Sequence, residues 1–491
     1  MHPYDEHALD LTRRRFFGVG ARSISAGLGM LGLGAALGRE RALALGLPIP
    51  EAAPGLHHPA QAKRVVYLHM EGAPSQLDLY DYKPGLLERF DQDIPDSIRG
   101  GQRLTGMTSG QARFPCAPSA FRFDRAENSQ DGVWLSELLP RTAGVARDLC
   151  FVHSMHTEAI NHEPAITFFQ TGNQQPGRPS FGAWASYGLG SENQDLPAFV
   201  VLITQGFGNM QALSARFWGA GFLSSEHQGC RLRSNGDPVL YLADPPGVSR
   251  ADRRKLLDLQ SAWNVREAER ALDPEVRARI AQAELAYRMQ TSVPGLLDLS
   301  GEPASTFELY GEEARKPGTF AANCLLARRL LERGVRFVQL YLRGWDQHSN
   351  LPAELRLQCQ AADRAQAALV TDLKQRGLLD DTIVLCAGEF GRTVYSQGEL
   401  SHTNYGRDHH PRCFTVWLAG GGFAPGITYG KTDDWGYNIV ENPIDVHDLH
   451  ATMLRQLGID HERLTYRHQG RDFRLTDVFG KVVPGLLSKP A

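Results

Sequence analysis

Five short polar segments hold the residues of this chain that are able to do chemistry. In Met70-Glu71-Gly72-Ala73-Pro74-Ser75-Gln76-Leu77-Asp78-Leu79-Tyr80-Asp81, Glu71 directly follows an apolar run and is placed to offer a carboxylate to a metal. Asp78 and Asp81 of the same segment suit turn capping. Between Ser154 and Pro164 stands Asn161-His162-Glu163-Pro164. Pro164 near a helix start, with Asn161 as its cap, puts Asn161 and His162 at a helix N-terminus, where free backbone N–H groups attract an anion. In Gly344-Trp345-Asp346-Gln347-His348, an extended backbone turns residues two apart to the same side, so Asp346 and His348 can share one cation. A carboxylate oxygen with an imidazole nitrogen suits Zn²⁺, Mn²⁺ or Fe²⁺ better than a pure Ca²⁺ cage, although Ca²⁺ and Mg²⁺ stay open.

The fourth segment, Gly388-Glu389-Phe390-Gly391-Arg392-Thr393, follows the most apolar run in the chain. A carboxylate at such a place needs a metal or an opposite charge to be tolerated. Arg392 can pair with Glu389, or it can hold a substrate oxyanion while Glu389 holds metal. The fifth, Gly406-Arg407-Asp408-His409-His410-Pro411, precedes an apolar run. Adjacent residues of an extended chain face opposite ways, so one of His409 and His410 is expected to ligate or act as an acid. The other then supports it from behind, with Asp408 fixing a ring. His447, Asp448 and His450 form a weaker group suited to packing or capping.

Something must bring these segments together, and the runs beside them supply it. Arg64–Met70, Asp148–Ser154, Ala198–Thr204, Val335–Leu342, Thr382–Ala387 and Phe414–Leu418 read as strands, nearly continuous in apolar residues. Such runs fit strands covered on both faces, hence a mainly parallel sheet between layers of helix. Helical patterns at Pro179–Leu189, Thr319–Glu332, Pro352–Arg376 and Val446–Leu457 alternate with them. In open α/β sheets ligands bind at the carboxyl ends of strands, which is where four of the five polar segments fall. The charged stretch 252–291 breaks the rhythm and predicts a helical pair, with Asp273-Pro274-Glu275 ending one helix and capping the next.

The N-terminus differs in kind. Thr12-Arg13-Arg14-Arg15-Phe16-Phe17 leads into an uncharged stretch from Ser23 to Leu37, and Ala42-Leu43-Ala44 offers small residues for cleavage. The apolar stretch falls short of the roughly 20 residues that span a bilayer. The segment 1–44 therefore reads as an export signal of twin-arginine type, followed by a linker at 45–62 and a single domain at 63–485. The expected location is the periplasm or cell envelope, with the twin-arginine export machinery as partner and no transmembrane segment in the mature chain. A net charge of −3 and the lack of a long basic run beyond the first 41 residues argue against nucleic acid. Seven cysteines without CxxC spacing form no disulfide framework.

Together, Gly72–Asp78, His156–Gly172, Gly177-Arg178-Pro179-Ser180, Gly344–His348, Glu389–Thr393 and Gly406–His410 resemble the domain-of-unknown-function 1501 family across the mature region. That family is similar to the sulfatase and alkaline phosphatase superfamily. The resemblance implies an alkaline phosphatase-like three-layer α/β fold and hydrolysis or transfer of sulfate or phosphate esters at one or two divalent metals. It aligns His162 with the superfamily's nucleophile slot, so formylglycine chemistry is excluded. The remaining routes are metal-activated water, an intermediate on His162, or Thr157 as nucleophile. Implied ligands are Glu71, Asp346, His348, Glu389 and His409 or His410, with Arg392 or Arg407 stabilising the substrate's charge. The implied substrate is a small anionic ester or a sulfated or phosphorylated saccharide. A non-catalytic envelope or polysaccharide-binding protein is the alternative, with Trp345, Trp417 and Trp435 lining a sugar groove.

Overall fold

The computed structural model describes residues 55–233, 244, 247–271 and 274–488. The expected export segment 1–44, and the linker as far as residue 54, lie outside the described residues. A nine-stranded sheet organises the body. Its strands are β1 (Arg64–Glu71), β2 (Leu149–His156), β3 (Phe199–Thr204), β4 (Cys230–Arg231), β5 (Phe337–Arg343) and β6 (Thr382–Ala387). A separate ribbon of β7 (Gly391–Gln397) and β8 (Gly406–His410) follows, and β9 (Phe414–Ala419), β10 (Thr428–Tyr429) and β11 (Ile444–Asp445) complete the sheet. The order is β10-β2-β9-β6-β1-β5-β3-β4, with β11 also pairing β2.

Every pairing in the sheet is parallel except those of β9, which runs antiparallel between β2 and β6. Alternation along each strand divides the core between two faces. Val65 and Tyr67 of β1 pack with Ile166 and Phe169 of α1 (His162–Thr171), Trp184 of α2 (Phe181–Leu189) and Met453 of α7 (Val446–Gln456). Val66 and Leu68 face the other way, onto Leu325 of α5 (Phe320–Glu332) and Leu369 of α6 (Leu351–Gln375). The result is a three-layer α/β fold with a mainly parallel central sheet, as the continuous apolar runs led one to expect. The segment expected to hold a helical pair forms α3 (Arg250–Ala271) and α4 (Pro274–Leu297).

Side-chain caps start three of the helices. Ser180 and Thr319 cap α2 and α5 through their hydroxyls, and Asp445 with Asp448 forms a capping box on α7. Gly172 ends α1 with φ 67°, the left-handed conformation that glycine adopts without strain.

Candidate metal centre

The parallel register sets Glu71 of β1 beside Arg343 of β5, and His69 of β1 beside Ala387 of β6. The turns that follow these three strands therefore leave from one edge of the sheet. Because β9 is antiparallel, the chain entering it arrives at that same edge, so β8 joins the strand-end turns. A bulge between Arg407 and His409 sets the facing of the two histidines.

One nitrogen or oxygen from each of His162, Asp346, His348 and His409 lies within 4.8 Å of the others. Asp346 Oδ1 is the hub. It stands 2.7 Å from His348 Nε2, 3.1 Å from His162 Nε2 and 3.5 Å from His409 Nε2. Each imidazole is held from behind through Nδ1. His162 Nδ1 donates to Glu389 Oε1 at 2.6 Å, His409 Nδ1 to the Ile160 carbonyl at 2.7 Å, and His348 Nδ1 to Gln397 Oε1 at 2.6 Å. A carbonyl or carboxylate at Nδ1 fixes the proton there, which turns the Nε2 lone pair inward.

Three inward lone pairs around a carboxylate oxygen repel one another unless a cation or protons intervene. His348 Nε2 and His409 Nε2 are 3.1 Å apart, and His162 Nε2 is buried with no hydrogen bond. The set of three imidazoles and one carboxylate oxygen thus fits a divalent metal ion.

Charge reinforces the arrangement. Burial pulls His162 down, but its contacts with Asp346 and Glu389 outweigh that and hold it at about 9. Burial alone would raise Asp346, yet His162, His348, His409 and the Arg392 charge hold its carboxyl far below the ordinary range. Burial takes His409 down to about 4, against the opposing pull of Asp346.

The remaining expected site residues are not among the four that form the cluster. Glu389 is fully buried and offers its oxygens to His162, to the Gly72 N–H at 3.0 Å and to His69 Nε2 at 3.5 Å, not to the four-atom cluster. Its charge requirement is met by an imidazole. Glu71 is also buried, accepts from Gly344 N at 3.2 Å and is raised to about 8, first by burial and then by Glu389. Neither carboxylate belongs to the cluster, which corrects the expectation that both would.

Arg392 does not pair with Glu389. Its guanidinium donates to Asp346 Oδ1 at 2.6 Å and to the carbonyls of Gly72 and Ala73. Arg407 is enclosed with Asp78, Nε to Oδ2 at 2.7 Å, which corrects its placement on a substrate. His410 points away, donating to the Tyr437 carbonyl at 2.7 Å and stacking on that ring. Asp408 accepts from Thr105, Thr108 and its neighbour's backbone N–H, and holds no imidazole. Asn161 occupies the cap of α1 without a side-chain cap bond, and Thr157 is buried with its hydroxyl near Ala159 N. His447 and His450 donate to the carbonyls of Gly172 and Phe169.

Other contributors were absent from the sequence reading. Asn209 and Gln211 both donate to Asp346 Oδ2 at 2.8 Å, and Gln397 holds His348. Gln205–Gln211 is itself a polar segment behind a strand, so the strand-end rule pointed to it as much as to the others. Trp345, Trp417 and Trp435 are buried and line no open groove.

None of the curated proteins matches the chain. Among solved structures, the alkaline phosphatase from the Antarctic bacterium TAB5 shares 11% identity at a TM-score of 0.31, over 81% of this chain and 98% of its own. An alkaline phosphatase superfamily protein from Vibrio parahaemolyticus shares 11% at 0.33, over 84% and 72%. The lipoteichoic acid synthase LtaP from Listeria monocytogenes shares 8% at 0.33, over 82% and 73%. Likenesses of this size bear on neither mechanism nor substrate. The family model described as a protein of unknown function, DUF1501, matches residues 62–487. With nearly all of the described body inside that match, the chain belongs to the DUF1501 family.

Proposed function

We propose that this protein is a metal-dependent hydrolase of sulfate or phosphate esters, exported by the twin-arginine route to the periplasm or cell envelope. The observation that carries the reading is the convergence of three Nε2 atoms and one carboxylate oxygen, each ring fixed through its other nitrogen. His162, Asp346, His348 and His409 would hold the cation. A divalent ion there supplies Lewis acidity, lowering the pKa of a water and polarising an ester oxygen.

The chain's own groups do the positioning. Glu389 orients His162 and keeps its Nδ1 proton in place, while Gln397 and the Ile160 carbonyl do the same for His348 and His409. With both nitrogens of His162 facing carboxylates, and the Thr157 hydroxyl buried near Ala159 N, activated water is favoured over either side chain as nucleophile. His348 is the most exposed of the four, its side chain 19% accessible, and marks the side from which a small anionic ester or a sulfated or phosphorylated saccharide would approach. Arg392 acts indirectly, neutralising Asp346 from below.

A second reading, a metal-holding protein without turnover, is favoured by one observation. Both arginines expected to clamp the substrate are enclosed by protein. Metal analysis of the purified protein, followed by assays with aryl sulfates and phosphate mono- and diesters before and after chelation, separates the two. Hydrolysis abolished by chelation and restored by metal supports the hydrolase; bound metal with no turnover of any ester supports the second reading. Protein that takes up no metal sinks both. Among the described residues no helix is long and apolar enough to cross a membrane. Export is tested by following the full chain in cells with and without the twin-arginine translocase.

A further inference from the structure

Asp346 has two oxygens with different surroundings. Oδ1 faces the three imidazoles and Arg392, whereas Oδ2 accepts from the side-chain amides of Asn209 and Gln211, each at 2.8 Å. A carboxylate can give a cation one oxygen or both, and which it gives sets the coordination number. Two neutral donors on Oδ2 occupy the lone pairs it would need for a second bond to the ion.

The segment carrying these amides is anchored independently of Asp346. Arg343 donates to Gln205 Oε1 at 2.7 Å and to the Gln211 carbonyl, and Gln358 Nε2 donates to the Phe207 carbonyl at 2.7 Å. Gly206 lies so close to β5 that a Cβ there would sit 1.7 Å from the Arg343 carbonyl oxygen. The backbone is therefore tied to β5 and α6, and it presents the amides to Asp346 rather than being drawn there by them. Asn209 and Gln211 are two residues apart, the spacing at which extended residues share a side.

Resting on the reading of the four-residue cluster as a metal centre, we infer that Asn209 and Gln211 are positioning residues that restrict Asp346 to binding the ion through Oδ1 alone. They touch neither ion nor substrate. Their effect passes through the carboxylate, keeping the fourth protein ligand narrow and leaving the open side near His348 free.

The test uses the full chain loaded with Co²⁺, whose visible spectrum weakens as its coordination number rises. Asn209→Ala/Gln211→Ala releases Oδ2, so the band intensity is expected to fall and Co²⁺ affinity to drop about 10- to 100-fold, the range usual for residues behind a metal ligand. Each single variant keeps one amide and is expected to fall between. Met210→Ala, an exposed neighbour on the same segment, is expected to match the parent in both readouts. Thermal unfolding of the metal-free variants shows that the fold is kept. An unchanged spectrum in the double variant overturns the inference whether or not affinity falls, because Asp346 would then keep its one-oxygen geometry unaided. If the parent chain takes up no Co²⁺, the metal-centre reading itself fails and this inference falls with it.

Discussion

Raising the pH should tighten metal binding, and the structure gives the slope. His162 is held at about 9 by Asp346 and Glu389 against the pull of burial, so at neutral pH its Nε2 carries a proton that an incoming ion must displace. Asp346 and His409 have nothing to release above pH 6, since one is held far below the carboxylate range and the other is lowered to about 4. At least one proton therefore leaves per ion bound. Apparent affinity should rise about tenfold per pH unit, roughly 100-fold or about 2.7 kcal/mol between pH 6 and 8. Calorimetric titration with Zn²⁺ against a competing chelator, in two buffers of different ionisation enthalpy, measures both the affinity and the proton release. Glu389→Gln removes one of the two carboxylates that raise His162, so the slope should flatten in the upper part of that range. For the metal-free protein the sign is opposite. A histidine whose folded pKa exceeds its unfolded value stabilises the fold fully below about 6.5, and this is lost as pH rises through about 9. Affinity that stays flat from pH 6 to 8, with no protons released, would refute the placement of that proton.

Three further outcomes follow from the surroundings of the cluster. Glu71, buried and raised to about 8, makes the fold lose stability as pH rises from its unfolded value toward 8, by up to about 1.4 kcal/mol per unit. Glu71→Gln should therefore be progressively more stable than the parent from pH 6 to 9, as read by urea unfolding, and a pH-independent difference would contradict this. Arg407→Met leaves Asp78 buried without its guanidinium and should cost about 3–5 kcal/mol in the same measurement, while a loss below about 1 kcal/mol would show the pair to be dispensable. Gly72→Ala forces a side chain at φ 105° against Asp346 N, which its Cβ would approach to 2.6 Å. It should cost more than about 1 kcal/mol and weaken Zn²⁺ binding as Asp346 is displaced, and parental affinity would refute the second half.

Much of the architecture was legible because the six longer strands of the sheet are runs nearly continuous in apolar residues, bounded by residues that break them, whereas β4, β10 and β11 are too short to leave such a signal. Such runs say nothing about direction, so the antiparallel course of β9 was invisible, and with it the reason a polar segment preceding a strand reaches the same edge as those that follow one. The ribbon of β7 and β8 also escaped notice. Gly391-Arg392-Thr393-Val394-Tyr395-Ser396-Gln397 has little apolar content, and its pairing depends on a partner across an eight-residue connection of low hydrophobicity, Gly398 to Tyr405 included. Within the site, the two-residue spacing of Asp346 and His348 put both in one cluster, and opposite facing separated His409 from His410. Periodicity could not decide which histidine of that pair turned inward, because a bulge set the choice. Glu389 was correctly expected to require positive charge, but sequence spacing could not show whether a metal, Arg392 or His162 would meet the need. Asn209 and Gln211 carry no charge and titrate nowhere near neutrality, so nothing in their type distinguished them from ordinary loop amides.

The four groups around Asp346 Oδ1 come from positions 162, 346, 348 and 409. During synthesis the last of them emerges some 250 residues after the first, so no ion can be captured by the full set until most of the sheet is available to dock it. Loading is thereby a late event that reports a finished fold. Once made, it cross-links chain segments hundreds of residues apart, and the unfolding rate of the loaded protein should fall with the concentration of free ion.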